Sequence, residues 1–302
     1  MSPAPKTEPN SPPLRYLCVV DVEATCEEGD FRAVDHEIIE LPVVLLDLQP
    51  AGGGVPSVVD HFHSFVRPTE RPRLSDFCTG LTGVTQAQVD AAPTLPQVLD
   101  AVHAWLASRG LLLSFPSITH EEEVKAATPA ASAVATATTA SMGSSFVRAM
   151  DNNPFAALLD QESGAEAASE EDDEPFAVVE VEVELRTGVS FASDGPWDFD
   201  QFLHRECARK GLRKPAYYDD WVDVRRAFAE HHKLPKPVNI EKMLEMLGTK
   251  FEGRPHCGLD DARNVARIAA RCAADGATFR RNCKVRPPKK AVEGAMGRRK
   301  KR

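Results

Sequence analysis

The sequence has no segment suited to a membrane span or to secretion. Its longest aliphatic stretch, residues 41–46, contains Pro42 and is far shorter than the roughly 20 residues of a spanning helix. The first 13 residues are proline-rich and polar, without the basic and then apolar order of a secretory signal. We therefore expect an intracellular protein, cytoplasmic or nuclear or both, with no membrane partner.

The sequence also has no Cys-x-x-Cys pair. Its 7 cysteines form an odd set, which suggests neither a disulfide framework nor a structural zinc site. We interpret them as reduced thiols, most of which pack in the interior. They are Cys18, Cys26, Cys78, Cys207, Cys257, Cys272 and Cys283.

Charge is distributed unevenly along the 302 residues. The whole chain carries −9 at pH 7, but residues 119–188 carry −12 and residues 280–302 carry +10. The overall negative charge does not exclude a polyanionic substrate, because bound divalent ions and a basic tail can reverse the local field. The last five residues, all Arg or Lys, are typical of a nuclear-import signal, an RNA-contacting segment or a solvated end.

Composition predicts one folded domain that carries a long insertion. The 42% hydrophobic content can bury one substantial core or two smaller ones. Residues 119–188 are rich in Ala, Thr, Ser and acids, so we predict a mostly disordered acidic insert, although residues 176–185 alternate Val with Glu as an amphipathic strand does. The domain is predicted from residues 15–118 and 189–282, between a disordered start at residues 1–14 and a basic tail at residues 283–302.

Hydrophobic periodicity predicts an α/β protein with a mixed central sheet flanked by helices. Residues 17–24, 39–47 and 59–66 are rich in branched and aromatic side chains and predict an antiparallel meander, with the first strand central. Short strands are predicted at residues 189–192 and 221–224. Apolar stripes predict helices at residues 95–106, 199–207, 243–247 and 259–273.

A carboxylate pair at the end of the first predicted strand is the starting point for the chemistry. Asp21 and Glu23 are two residues apart, so in an extended strand they project from the same face. Two adjacent carboxylates repel each other unless a cation or a proton lies between them. Asp194 follows another predicted strand and precedes a Gly-Pro turn that would present its side chain at the edge of the sheet.

The last predicted helix contributes two more candidates. Asp261 lies on its apolar stripe, where an unpaired carboxylate is costly, but it also lies in the first turn, where acids favour the helix dipole. His256 precedes the helix in a loop and is either a surface residue or a catalytic base. We interpret Asp198 and Asp200 as acids of the first turn of the helix after Asp194. Several carboxylates with a nearby imidazole match the needs of two-metal phosphodiester hydrolysis.

Six ordered motifs resemble a known family. The residues are similar to the DEDDh class of 3′-5′ exonucleases on the RNase H-like fold, and more narrowly to the Eri1-like exoribonucleases, the family of the three-prime histone mRNA exonuclease. The similarity covers residues 16–113 and 189–279. The motifs are DVEATCEEG from Asp21, HEIIELP from His36, LSDFC from Leu74, LTGVT from Leu81, DGPWD from Asp194 and GRPHCGLDD from Gly253.

The resemblance implies a role for each matching residue. Asp21, Glu23, Asp194 and Asp261 would hold two Mg²⁺ or Mn²⁺ ions, and His256 would be the general base. Glu23 and the Ala24 backbone would contact the sugar hydroxyls of the terminal nucleotide. Phe77, Leu81 and Thr82 would hold its base and sugar, or would simply belong to the core or to a turn. Trp197 would stack on a base or fill the core.

The implied function is removal of nucleotides from single-stranded or overhanging RNA three-prime ends, with release of nucleoside 5′-monophosphates. Two alternatives share the same residues: a DNA exonuclease, because the reading of a 2′-hydroxyl is not visible in a sequence, and a catalytically silent RNA-binding scaffold. A catalytically silent protein usually lacks one of the metal-ligating residues, and this sequence has a candidate for each of these positions.

Overall fold

The computed structural model describes residues 13–29, 35–116 and 181–286. The chain forms two compact units, one from residues 1–115 and 183–302 and the other from residues 116–182. Of the second unit, only residues 116, 181 and 182 are described. Most of the predicted disordered start, acidic insert and basic tail lies outside the described residues. Among the described residues, no helix is long and apolar enough to cross a membrane.

The described residues contain the predicted strands and helices in the predicted order. Strands at residues 112–116 and 283–284 and helices at residues 76–82, 86–90 and 224–231 were not predicted. The strands are β1 (Tyr16–Val20), β2 (Glu23–Ala24), β3 (Ile38–Asp47), β4 (Ser57–Phe65), β5 (Leu112–Pro116), β6 (Val181–Leu185), β7 (Val189–Ser193), β8 (Asp220–Asp223) and β9 (Cys283–Lys284). The α-helices are α1 (Asp76–Thr82), α2 (Gln86–Asp90), α3 (Leu95–Ser108), α4 (His204–Lys210), α5 (Val224–His231), α6 (Ile240–Met246) and α7 (Gly258–Ala274). A π-helical turn spans Trp197–Leu203, and a 3-10 turn spans Ala216–Tyr218.

The main sheet is mixed, as the sequence predicts. β1 pairs antiparallel with β3 and parallel with β7, and β3 pairs antiparallel with β4, which confirms the meander and the interior position of the first strand. β8 extends the sheet parallel to β7, and β9 closes it antiparallel to β8. β5 and β6 form a separate two-stranded sheet. The valine and glutamate alternation thus predicts β6 correctly, and residues 176–180 lie outside the described residues.

β1 separates two apolar cores because its side chains alternate between the faces of the sheet. Cys18 and Val20 pack in the core that contains α3, whereas Leu17 and Val19 pack in the core that contains α7. Both faces of β1 are covered, which explains why its sequence is continuously apolar. The odd-numbered positions that lead toward Asp21 therefore face α7.

The strand predicted for residues 17–24 is interrupted, which corrects the sequence-based boundary. β1 ends at Val20 and β2 begins at Glu23, so Asp21 and Val22 lie outside both strands. The Val22 N–H donates to Asp198 Oδ1 at 2.9 Å rather than to a strand. β2 then pairs with β3, with a register shift between Glu23 and Ala24. The interruption between β1 and β2 therefore falls where the two acids, Asp21 and Glu23, are located.

α7 packs closely against the sheet at the same point. Its first residue, Gly258, has so little space that an added Cβ would lie 2.5 Å from the Asp21 carbonyl oxygen. The buried face includes Val265, Ile268 and Cys272, as the apolar stripe predicts. Asn264, on the polar stripe, is also buried, and its side-chain amide both donates to and accepts from the backbone of Glu252. A side chain of α7 near Gly258 therefore lies next to the break after β1.

Candidate active site

A cavity of about 550 Å³ opens where β1 ends and α7 begins. It collects side chains from segments that are far apart in the sequence. Its acidic lining consists of Asp21, Glu23, Glu27, Asp194, Asp198 and Asp261. Two histidines, His36 and His256, and the apolar residues Phe77, Leu81, Trp197, Phe202 and Ile240 also line it. The cavity therefore combines a dense group of carboxylates with an aromatic and aliphatic rim.

Three of the carboxylates form the tightest group. Asp21, Glu23 and Asp261 each offer an oxygen, and these oxygens lie within 4.8 Å of one another. Asp21 follows β1, Glu23 opens β2 and Asp261 lies in the first turn of α7. The side chain of Asp261 is buried on the face of α7 that meets the sheet, as its position on the apolar stripe indicates.

The pKa values of these carboxyls are raised because they are buried next to one another. Burial raises the pKa of Asp21 well above its ordinary value, and the nearby Asp198, Asp194 and Asp261 raise it further. Burial, followed by the charges of Asp261 and Glu40, raises the pKa of Glu23 to about 9. Without a cation, this group therefore keeps protons up to a higher pH than ordinary carboxyls, which release theirs at about pH 4.

The pKa of Asp261 is also raised, to about 7, mainly by burial. The backbone N–H of His256 hydrogen bonds to this carboxylate and opposes the rise, whereas the charge of Asp194 adds to it. Carboxylate oxygens are the ligands that Mg²⁺, Mn²⁺ and Ca²⁺ prefer, and neutralisation by such an ion removes the repulsion. The donor set therefore fits a hard divalent cation.

Asp198 lies in the first turn of the π-helical segment, as predicted, but it also lines the cavity beside these carboxylates, which the sequence analysis did not predict. It is buried, and its Oδ1 accepts the Val22 N–H beside Asp21. Burial, followed by the charge of Asp194, raises the pKa of Asp198 to about 7. The sequence showed only a helix start after Pro196, and the spacing gave no sign that the π-helical turn would direct this side chain toward β1.

Asp194 lines the same cavity but has a different environment. It is half-buried, and the guanidinium of Arg225 opposes the rise that burial causes in its pKa. Arg225 also lies against Gly195, where an added Cβ would be 2.0 Å from its Nη2. Among the described residues, Asp194 therefore has the cation of Arg225 nearby. The charge that acts on Asp198 is that of an acid, Asp194. Asp198 is the more buried of the two, and hydrogen bonds from the Val22 N–H, its own backbone N–H and the Ser193 side chain oppose the rise in its pKa.

Asp200, the other predicted first-turn acid, faces away from this chemistry. It is buried, and its Oδ1 accepts the backbone N–H of Arg286 at 3.0 Å while its Oδ2 lies 3.6 Å from Nε of the same residue. Asp200 therefore joins the π-helical turn to the segment after β9 and has a structural role.

Glu40 was missed by sequence reasoning, and it fixes the start of α7. It lies in β3 with 2% exposure, and its carboxylate accepts the N–H groups of Gly258 at 3.0 Å and Leu259 at 3.4 Å. His63 Nε2 lies 2.8 Å from the same carboxylate. A carboxylate at a helix N-terminus satisfies donors that lack intrahelical partners. The glutamate inside the apolar run of β3 was the available signal.

His256 lines the cavity from the turn before α7. Its side chain is exposed, and its backbone adopts φ 61°, a left-handed conformation that is uncommon outside glycine. The Cys257 N–H donates to the Arg254 carbonyl at 3.2 Å and closes the turn. The imidazole thus borders the cavity from its solvent side.

The predicted nucleotide contacts divide into two groups. Ala24, Phe77 and Leu81 line the cavity, whereas Thr82 is buried and does not number among the lining residues. The Thr82 hydroxyl donates to the Cys78 carbonyl at 2.9 Å and accepts the Val84 N–H at 3.1 Å. Both contacts stabilise the end of α1 and agree with the alternative that Thr82 belongs to a turn, while its predicted contact with the substrate stays a prediction.

Trp197 is on the cavity rim and not in the core. Its side chain is 52% exposed, although a tryptophan that fills a core would be buried. The structure therefore favours the stacking alternative over the packing alternative. Phe202, Ile240 and His36 complete the rim and were not predicted, because their apolar or loop positions gave no functional signal.

Comparisons with known proteins agree with this site. Residues 18–117 match the exonuclease family RNase_T. The chain is 32% identical over 271 residues to 3′-5′ exoribonuclease 1 of Homo sapiens, covering 89% of this chain and 56% of that protein. It is 33% identical over 274 residues to the 3′-5′ exonuclease eri1 of Schizosaccharomyces pombe, covering 89% of this chain and 71% of that protein.

A solved structure of a related nuclease has a similar fold. The nuclease domain of 3′hExo, a DEDDh family member bound to rAMP, matches with a TM-score of 0.61 and 31% identity. The match covers 91% of this chain and 100% of that domain. The chain spans only about half the length of the human relative, 56%. The chain belongs to the Eri1-like family of DEDDh 3′-5′ exonucleases, with the RNase H-like fold.

Proposed function

We propose that the protein is a metal-dependent 3′-5′ exoribonuclease that removes nucleoside 5′-monophosphates one at a time from RNA three-prime ends. The observation that carries this proposal is the convergence, in one cavity, of His256 with carboxylates from the segment after β1, from β2, from the π-helical turn and from α7. Membership of the DEDDh family supports it. So does the rAMP bound to the 3′hExo nuclease domain, because rAMP is the kind of product that this reaction releases.

Asp21, Glu23 and Asp261 are the first three proposed ligands of two divalent ions, with Mg²⁺ as the natural ion and Mn²⁺ as a substitute. The fourth carboxylate comes from the turn that carries Asp194 and Asp198, and burial without a nearby cation favours Asp198. Bound divalent ions stabilise the charge that develops on the phosphate and lower the pKa of an attacking water. Asp194, held beside Arg225, supports the turn and adds negative charge.

His256 acts as the general base. A neutral imidazole takes a proton from the water, whose oxygen then forms a bond to the phosphorus of the terminal phosphodiester. The bond between this phosphorus and the three-prime oxygen of the preceding nucleotide breaks. The oxygen takes a proton from solvent and leaves as the new three-prime hydroxyl, and the terminal nucleotide leaves as a 5′-monophosphate. The imidazolium of His256 then returns its proton to solvent. The exposed turn that holds His256 gives the imidazole access to the water and to solvent.

The rim around the carboxylates holds the terminal nucleotide. Glu23 and the Ala24 backbone are next to the acidic group and are proposed to bind the sugar hydroxyls. Phe77 and Leu81 on α1 are proposed to contact the base, and the exposed Trp197 offers a face for stacking. A contact with the 2′-hydroxyl at Glu23 would select RNA over DNA. A three-prime overhang or single strand fits, because a terminal nucleotide must enter the cavity.

The test uses RNA and DNA of the same sequence, each labelled at the five-prime end. The purified protein is incubated with each in Mg²⁺, in Mn²⁺ and in a chelator. We expect stepwise shortening of RNA that requires a metal ion. Equal shortening of DNA would support the DNA exonuclease, and no shortening of either strand with either ion would support the silent scaffold. Asp21→Asn is the matched variant, since it removes one charge without a change of shape.

A further inference from the structure

The turn that carries His256 is attached to α1 by an arginine. Arg254 Nη2 donates to the carbonyl oxygens of Gly80 at 2.7 Å and Leu81 at 3.2 Å. These carbonyls are in the last turn of α1, where the helix leaves acceptors without intrahelical partners. A cation at this end of a helix also complements its dipole. A side chain from the loop before α7 therefore satisfies carbonyl groups at the end of α1, a helix more than a hundred residues earlier in the sequence.

The end of α1 is shaped to accept this guanidinium. Gly83 caps the helix with φ 77°, and its N–H donates to the Thr79 carbonyl. A Cβ at Gly83 would lie 1.5 Å from Arg254 Nη1. Glycine is thus needed here for two reasons, the left-handed backbone and the space that the guanidinium occupies. The contact is a fitted one and not a chance approach of two surface groups.

The backbone of Arg254 also holds the other side of the same turn. Its N–H donates to Asp260 Oδ2 at 2.9 Å, and its carbonyl accepts the Cys257 N–H at 3.2 Å. Asp260 is in the first turn of α7, and His256 is inside the turn that these bonds close. Arg254 is therefore joined to α7 through its backbone and to α1 through its side chain, with the imidazole two residues away.

This arrangement matters because α1 is the helix whose Phe77 and Leu81 line the cavity. His256 has an exposed side chain and a left-handed backbone, and such a conformation persists only where the surroundings fix it. We infer that Arg254 is a positioning residue that holds His256 at a fixed distance from the nucleotide seated against α1. The inference rests on the proposed function, because it takes His256 as the general base.

The side chain of Arg254 is largely exposed, so its removal should not unfold the protein. An exposed arginine is also able to contact an RNA phosphate directly, and the experiment must distinguish this role from positioning. A phosphate contact depends mainly on charge, which Lys retains. The guanidinium of Arg254 places Nη1 against Gly83 while Nη2 donates to both carbonyls, and the compact ammonium of a Lys side chain does not reproduce this flat arrangement. The two roles therefore predict different results for Arg254→Lys.

The experiment measures kcat and KM for RNA shortening in the full chain with Mg²⁺. The variants are Arg254→Ala, Arg254→Lys, His256→Ala and the double variant Arg254→Ala with His256→Ala. Arg271→Ala is the matched control, since Arg271 is an exposed arginine of α7 that pairs with Asp275 at 3.0 Å. The thermal unfolding of each variant is measured first. All rates are then measured at one temperature, well below the unfolding midpoint of every variant.

We expect Arg254→Ala to lower kcat about 10- to 100-fold, which is the scale of effect that a small misplacement of a catalytic group produces, with little change in KM. Arg254→Lys should also be slow, and Arg271→Ala should match the wild type. In the His256→Ala background, Arg254→Ala should cause no further loss, because its effect passes through the imidazole.

Two results would overturn the inference. One is an equal loss from Arg254→Ala in both backgrounds, and the other is a raised KM with unchanged kcat that Arg254→Lys restores. A wild-type rate for His256→Ala alone would instead refute the general base of the proposed function. The two failures are therefore distinguishable.

Discussion

Replacing Asp198 with Asn should stabilise the protein when no metal is bound. In a metal-free site, burial and Asp194 raise the pKa of Asp198 from 3.8 to about 7. A carboxyl whose folded pKa is raised contributes stability below its unfolded pKa and loses it as the pH rises through the folded value. Above pH 7, the wild type must therefore bury this charge, whereas Asn resembles the protonated form at every pH.

The size of the effect follows from the two pKa values. A shift of about 3 pKa units corresponds to about 4 kcal/mol of unfolding free energy at pH 8, as an upper value. At pH 5 only about 1 unit separates that pH from the unfolded pKa, so the advantage of Asn falls to about 2 kcal/mol. A strong dependence on pH is therefore the signature of a buried, unpaired carboxyl at this position.

Urea unfolding at pH 5 and pH 8 in a chelator measures this difference, because urea does not screen charge. Glu241→Gln, an exposed acid of α6, is the control and should change the stability by less than about 0.5 kcal/mol. Saturating Mg²⁺ should reduce or reverse the difference in unfolding free energy between Asp198→Asn and the wild type. A ligand at 100 times its Kd stabilises the protein that binds it by about 2.7 kcal/mol. If Asn gave no gain in the chelator at pH 8, our account of Asp198 would be wrong.

Three further predictions concern the same site. Asp21→Asn should reduce RNA shortening about 1,000-fold or more in a gel assay, because it removes charge from the centre of the group, and an active variant would contradict this. His256→Ala should slow hydrolysis about 100-fold or more while calorimetry shows unchanged Mn²⁺ binding, and a lost metal site would refute its role as a base. Gly258→Ala should lower the unfolding free energy by about 1–3 kcal/mol and slow RNA shortening, because its Cβ would meet the Asp21 carbonyl at 2.5 Å. Gly80→Ala, where a Cβ meets nothing within 4 Å, is the control, and equal stability of both glycine variants would contradict the packing argument.

Much of the fold was predictable because local pattern and tertiary environment agree. β3 and α7 have uniform strand and helix periodicity, and their predicted limits differ from the observed ones by one residue. The break after Val20 was not predictable. It depends on a hydrogen bond from Val22 to Asp198, a partner 176 positions away, and no local pattern reports such a contact.

The site was predictable in its main parts for a different reason. Asp21 and Glu23 converge as predicted, although the strand predicted to carry both is interrupted between them, and Asp261 joins them because it lies on the buried face of α7. The first-turn position of Asp198 was predicted, but its place in the cavity was not, because the Trp197–Leu203 segment is a π-helical turn whose wider spacing changes which residues face the sheet. The sequence left two roles open for Thr82, because a hydroxyl near the end of a helix can bind a ligand or satisfy the backbone of the helix, and its buried position favours the second role.

The binding of Mn²⁺ to the full chain, measured by calorimetry with AMP present, tests the central claim most directly. We predict two ions per chain for the wild type and the loss of at least one ion for Asp21→Asn and for Asp198→Asn, with Glu241→Gln unchanged. No binding by the wild type, or the same stoichiometry in all four proteins, would contradict a metal site built from these carboxylates.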